Sequence, residues 1–157
     1  TGARLPSRGR VFVTVHDQDK PTILPIIKDL ESLGFLIAAT RGTAEFLFKN
    51  GVFAEVILKV HEGNPHIIDH MNAGRIQLII NTPLGRYTQR DDDYIRINAV
   101  RRRIPYTTTT SAARAAVEGI RYMRRDEVRV HPLPDTVHSR PAAGVSVAQS
   151  DGDSRDT

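Results

Sequence analysis

Ala38-Ala39-Thr40-Arg41-Gly42-Thr43-Ala44 decides how this chain is read. It follows Phe35-Leu36-Ile37, a short apolar run of the kind that forms a buried strand. It precedes Ala44-Glu45-Phe46-Leu47-Phe48-Lys49-Asn50-Gly51, which reads as a helix stopped by Asn-Gly. The stretch is therefore a strand-to-helix turn. Such a turn aims unpaired helix N–H groups and the positive end of the helix dipole at one spot. Thr40 and Thr43 add hydroxyl donors, Gly42 allows close backbone approach, and an anion fits there. The same residues also suit a plain capped helix, with Thr43 as N-cap and Gly42 as a turn residue. The neighbouring segments decide between the two readings.

Upstream, Val11-Phe12-Val13-Thr14-Val15 has the β-branched, apolar character of a central strand and ends in the polar turn His16-Asp17-Gln18-Asp19-Lys20. Ile23, Ile26, Ile27, Leu30 and Leu33 then recur at helical spacing up to Gly34, and Pro25 requires this helix either to start late or to kink. Downstream, the residues from Ala54 to Val60 read as a third strand, ending in His61-Glu62-Gly63-Asn64-Pro65-His66. A helix from Pro65 to Asn72 follows, with Pro65 near its first position and Gly74 after its end. Ile76-Gln77-Leu78-Ile79-Ile80 is a fourth strand, terminated by Asn81-Thr82-Pro83. The segment from Asp91 to Arg103 is helical, with acids in its first turn, arginines in its last, and Ile95, Ala99 and Val100 towards the core. Ile104 to Thr108 forms a fifth strand, and Ser111 caps a last helix through Met123. This alternation predicts a three-layer α/β/α domain on a five-stranded, mainly parallel sheet. Four strands in succession then deliver Lys20, Thr40 with Thr43, Lys59, and Asn81 with Thr82 to one carboxyl rim, the edge where α/β sheets bind ligands.

At 157 residues, 39% hydrophobic and 25% charged, the composition is that of one ordinary globular domain. The absence of cysteine excludes disulfides, thiolate metal sites and a cysteine nucleophile, and fits a reducing compartment. No apolar run has the length of a membrane span and the N-terminus lacks a signal-peptide core, so a cytoplasmic location is expected. Residues 1–9, with Gly2, Pro6, Ser7 and Gly9, read as a linker, and a start on Thr1 without methionine suggests a piece cut from a longer polypeptide. Residues 10–134 form the domain. Residues 135–157, Pro-, Ser- and Asp-rich, read as a disordered tail carrying four aspartates against two arginines. The formal charge of +4 is therefore concentrated in the folded part, which favours anionic partners. Arg101-Arg102-Arg103 and Arg121, Arg124 and Arg125 have no interleaved aromatics for stacking bases, so they read as a solvated or interface face and no nucleic-acid partner is expected.

His66 and His70 share helical spacing with His61 nearby, but Ile67 follows His66 where the metalloprotease pattern needs a glutamate, and no metal is expected. His16-Asp17 beside Lys20 could serve as a general base, yet there is no nucleophile elbow and no full P-loop pattern. The rim offers a binding constellation for a phosphate in Lys20, Thr40, Thr43 and Lys59, with Asn81 and Thr82 able to bond a sugar or base.

In the order Asp19-Lys20, Ala39-Thr40-Arg41-Gly42-Thr43-Ala44, Lys59-Val60-His61-Glu62-Gly63-Asn64-Pro65-His66-Ile67-Ile68-Asp69 and Ile80-Asn81-Thr82, the sequence resembles the C-terminal allosteric domain of the carbamoyl-phosphate synthase large subunit. That domain has the methylglyoxal-synthase-like fold. The similarity runs from about Gly9 to about Arg125, and the Lys-Val-His-Glu-Gly stretch with Pro-His is its most specific part. The resemblance implies an effector phosphate against Lys20, Thr40, Gly42, Thr43 and Lys59, ribose and base near Asn81, Thr82 and Asp91, and no catalytic residue in this domain. Family members answer to UMP as inhibitor and to IMP or ornithine as activators, while ATP and Mg serve the parent enzyme elsewhere. The implied partners are the other domains of the large subunit and the glutaminase small subunit, with self-association possible. Pro83 replaces a threonine of the best-characterised bacterial form. Thr107, beside Thr108, replaces its ornithine-binding aspartate, which argues against ornithine activation. Methylglyoxal synthase, acting on dihydroxyacetone phosphate, is the alternative. His16-Asp17 with Lys20 is similar to its opening motif, but His61-Glu62-Gly63 stands where its catalytic Gly-Asp would be. The cyclohydrolase domain of purine synthesis is a weaker match at Asn81-Thr82.

Overall fold

The structure, a computed structural model, describes residues 3–83 and 89–130. Five strands alternate with helices along the chain: β1 (Arg10–Val15), α1 (Lys20–Ser32), β2 (Leu36–Ala39), α2 (Arg41–Lys49), β3 (Glu55–Val56), α3 (Ile67–Asn72), β4 (Leu78–Thr82), α4 (Gln89–Arg101), β5 (Tyr106–Thr107) and α5 (Thr110–Val130). All strand pairs are parallel and the sheet order is β3-β2-β1-β4-β5.

Because side chains alternate across a strand, β1 feeds two separate cores. Val11, Val13 and Val15, with Ile37, Leu78 and Ile80, pack against Ile23, Ile26, Ile27 and Leu30 of α1, Leu47 of α2 and Val117 and Ile120 of α5. Phe12, Ala38 and Ile79 face the other way, onto Ile67 and Met71 of α3 and Ile95 and Ala99 of α4. The result is the expected three-layer α/β/α fold, with the sheet parallel throughout.

Several boundaries differ from the sequence reading, each for a physical reason. Helix α1 starts at Lys20, straight after a 3-10 turn (Asp17–Asp19), and runs through Pro25. Pro25 lies on the exposed face, where only one ladder bond is lost. Helix α2 starts at Arg41, not Ala44, so Gly42 and Thr43 lie in its first turn and Thr40 takes the N-cap position. Strand β3 has two residues. After Ile57 N–H bonds Ala39 O at 2.9 Å, the chain turns so that Glu62 N–H reaches Lys59 O at 3.0 Å. Pro65 lies outside α3, before N-cap His66, whose side chain and that of Asp69 form a capping box. In α4 Val100 is exposed rather than buried. At about 100° per residue it sits roughly 140° round from Ile95, whereas Ala99 is only about 40° away. Thr109 Oγ1, not Ser111, accepts the first-turn N–H of α5, from Ala112 at 3.0 Å.

Residues of the expected linker lie against α5. Leu5 packs on the first core, a Cβ on Gly119 would come within 2.5 Å of its Cδ1, and Arg124 donates to Ser7 O while stacking 5.7 Å from the centroid of the Phe35 ring. The expected tail begins beyond the described residues.

Candidate functional site

Strand order reverses at β1: the chain moves outward to β2 and β3, then crosses back to β4. The crossover helix from β1 covers one face of the sheet and the helix after β4 covers the other, which leaves a crevice at the carboxyl ends of β1, β2 and β4. Two adjoining cavities fill it. One, of about 440 Å³, is lined by Thr14, Lys20, Thr40, Gly42, Thr43 and Lys59 among others. The second, of about 420 Å³, shares Thr14, Thr40, Lys59 and His61 with the first and extends to Asn81, Thr82 and Asp91. Every phosphate-side residue and every sugar-side residue named from the sequence thus lines this crevice. Thr107 and Thr108 line neither cavity. Thr107 lies on the outer strand β5 and its hydroxyl donates to Ile79 O at 3.4 Å, while Thr108 is exposed.

The first cavity is built around the N-terminus of α2. Thr40 is buried in extended conformation (ψ 159°) and its side chain does not cap the helix. Ala44 N–H, bonded to Thr40 O at 2.8 Å, opens the helical ladder, so the N–H groups of Arg41, Gly42 and Thr43 precede it and face out of the helix end. Lys20 stands over them. A Cβ on Gly42 would meet only Lys20 Nζ, at 3.7 Å. Lys20 is itself bound to Asp17 Oδ1 at 2.6 Å, a bond that holds the Asp17 carboxyl below the usual carboxylate range. Lys59 is half-buried on the opposite wall and has no ion pair among the described residues.

Thr43 proves to be a fastener. Its Oγ1 accepts from Val15 N at 3.3 Å and donates to Val15 O at 3.4 Å, tying the first turn of α2 to the end of β1. Thr40 Oγ1 lies 3.3 Å from both Thr14 Oγ1 and Thr43 Oγ1, giving three linked hydroxyls on the cavity floor.

The second cavity is mixed in charge, with Lys59 and Arg90 beside Asp91 and Asp92 in its lining. Asp91 and Asp92 enter from the first turn of α4, with Asp91 Oδ2 2.5 Å from His61 Nδ1. Buried Asn81 donates to Asp92 Oδ1 at 2.9 Å and to Tyr106 OH at 2.7 Å, which holds the amide in place. Burial raises the Tyr106 phenol above its ordinary value, against the lowering effect of the Asn81 bond. His16 lines the second cavity, its Nε2 2.8 Å from Asp19 Oδ2.

Sequence reasoning missed Thr14, Asp92 and Tyr106. Thr14 had a local signal, as the one polar residue in the apolar run of residues 11–15; Asp92 and Tyr106 reach Asn81 only through the fold. The histidines read as metal candidates separate here. His66 caps α3 with Nδ1 accepting from Ile68 N–H at 3.2 Å, His70 is buried, and neither lines the crevice.

Comparison with known proteins gives the family of the chain. The carbamoyl phosphate synthase large chain of Acidobacterium capsulatum is 51% identical over 132 residues, covering 84% of this chain and 12% of that protein. The C-terminal section of the large chain from Methanopyrus kandleri is 47% identical over 135 residues, covering 85% of this chain and 25% of that one. The C-terminal section from Aquifex aeolicus is 45% identical over 124 residues, covering 79% and 23%. The chain therefore spans only a small part of the length of these relatives. The family model described as MGS-like domain matches residues 22–108, more than half of the chain and all of the crevice from Thr40 to Asp92, so the chain belongs to the MGS-like domain family.

Proposed function

We propose that this chain is the regulatory, nucleoside-monophosphate-binding domain of a carbamoyl phosphate synthase large chain. The observation that carries this is the polarity of one crevice. Lys20 and the α2 N-terminus stand at one end, Asn81, Asp91 and Asp92, with Arg90 beside them, at the other, and Lys59 lines both cavities. A nucleoside monophosphate has the complementary order, a dianionic phosphate at one end and hydroxyl and base donors at the other. The combined space is in the range of small-molecule sites, about 300–1,000 Å³. UMP or IMP is the effector.

The phosphate binds the helix N-terminus with Lys20, Lys59 and Thr40, and the sugar and base meet Asn81, Thr82 and Asp91. Binding acts by population shift. The effector has different affinities for two arrangements of the parent enzyme and favours one of them. Such coupling typically amounts to about 1–3 kcal/mol. The change passes through an interface with the remaining large-chain domains, for which the arginine-bearing helices α4 and α5 are candidates. The parent is a ligase using ATP and Mg with a glutaminase small subunit, cytoplasmic, supplying carbamoyl phosphate for pyrimidine and arginine synthesis. The domain itself binds and does not turn over. Where a methylglyoxal synthase would carry its base, Glu62 Oε1 accepts the Lys59 N–H at 3.0 Å within its own turn.

Calorimetric titration of the chain with UMP and IMP, together with an assay for methylglyoxal from dihydroxyacetone phosphate, tests this reading. Saturable, phosphate-dependent binding without methylglyoxal is expected. Turnover would overturn it in favour of the lyase, and absence of binding by either nucleotide would remove the effector role from this chain.

A further inference from the structure

Lys20 stands over the first turn of α2, its Nζ 3.7 Å from where a Cβ on Gly42 would lie, and it is already paired. Residues 17–19 form a 3-10 turn, a geometry in which side chains at i and i+3 lie one above the other, so Asp17 falls on Lys20. The contact is short, 2.6 Å, but the partners are unequal: the Lys20 side chain is 16% exposed and that of Asp17 is 90% exposed. Lys20 is fixed by burial, by its place as the first residue of α1 and by its seat above Gly42. Asp17 adds little to that placement. What it adds is a negative charge within bonding distance of the ammonium an anion would use.

We infer that Asp17 is an internal counter-ion that competes with the ligand's anionic group for Lys20 and so sets the affinity of the site. This rests on the anion-binding reading of the crevice. An incoming phosphate takes a Lys20 proton donor from Asp17. The freed carboxylate swings into solvent, which its exposure permits, but remains close enough to repel the dianion. Asp17 thereby weakens binding, and its repulsion grows with the negative charge of the ligand.

The test compares the full chain with Asp17→Asn and Glu45→Gln by calorimetric titration with inorganic phosphate and with UMP. Glu45 lines the adjacent surface cavity together with Asp17 and Lys20 and has no ion pair to Lys20 among the described residues. It therefore reports the general effect of removing one negative charge. Asp17→Asn is expected to tighten phosphate binding about fivefold, in keeping with an exposed ion pair, and Glu45→Gln by less than half of that. Unchanged or weaker binding by Asp17→Asn would overturn the inference while leaving the binding site standing, as would an equal gain in Glu45→Gln. Binding by Asp17→Asn alone would support the counter-ion and refute the effector reading for the native chain. Binding by none of the three would overturn both.

Discussion

Replacing Gly42 by alanine separates what the fold asks of this residue from what a ligand asks of it. Gly42 is the second residue of α2, and its φ lies outside the left-handed region that would demand glycine. Among the described residues, and apart from its chain neighbours and its own helix backbone, a Cβ would meet within 4 Å only Lys20 Nζ, at 3.7 Å, an ordinary contact. The substitution therefore has no steric cost and reduces the entropy of the unfolded chain, so it should stabilise by about 0.4–1 kcal/mol. That corresponds to a rise of roughly 2–5 °C in the thermal midpoint for a domain of this size. Binding should change in the opposite direction. Cβ bonds in a helix tilt towards its N-terminus, the end from which an anion approaches. An oxygen shared between Lys20 Nζ and the α2 N–H groups must lie about 2.8 Å from each, in the gap the methyl group would fill. Loss of one such charge-assisted bond costs about 1.5–3 kcal/mol, so phosphate affinity should fall at least tenfold. Calorimetric titration with inorganic phosphate and differential scanning calorimetry read the two effects on one sample. A lower midpoint would refute the backbone argument. An unchanged dissociation constant would place the anion elsewhere.

Lys59→Ala should weaken phosphate binding about tenfold, the value of a charged hydrogen bond, and leave the midpoint unchanged because Lys59 makes no ion pair among the described residues; equal affinity by calorimetry would remove it from the site. Thr43→Val keeps the shape of a side chain that is 2% exposed but strands both backbone groups of Val15. It should cost about 1–2 kcal/mol in urea unfolding, and a neutral result would mean those long bonds carry nothing. Arg114, 2.5 Å from Asp29, holds the Asp29 carboxyl below its usual value. A depressed folded pKa means the contribution is complete above the unfolded value of about 4 and is lost as pH falls through the folded one. Asp29→Asn should therefore lower stability at neutral pH, with the gap closing below about pH 4; a gap independent of pH would contradict it.

The fold was legible wherever one face of an element is fully buried. Ile23, Ile26, Ile27 and Leu30 are all in the core of α1, and Val11 to Val13 are wholly buried in β1. In those segments hydrophobic period and tertiary burial demand the same thing. Legibility failed where a side chain far along the chain, or a single bond, set the boundary. Glu62 closes a turn on Lys59 and ends β3 after two residues, although Leu58 and Val60 continue the apolar pattern of a strand. Gly42 is a poor helix former, so the Thr40–Thr43 stretch reads as turn. In the structure Thr43 is pulled onto Val15 and α2 begins three residues earlier.

The site divides along the same line. That Lys20, Thr40, Lys59 and Asn81 come together follows from topology alone, because parallel strands joined by crossovers all end on one edge, and an error of a residue or two in a strand end does not move its side chain off that edge. Their pairings do not follow from it. Asp17 faces Lys20 because the connecting turn is 3-10, and His61 meets Asp91 across thirty residues because α4 brings its first turn back over the β3–α3 loop. Only these pairings make the crevice charge-neutral in parts while polarised from end to end. Two of its contacts have one well-exposed partner, Asp17 in the pair with Lys20 and His61 in the pair with Asp91. If the crevice binds an anion as proposed, Lys20 must exchange Asp17 for it, whereas Lys59, without an ion pair among the described residues, need not.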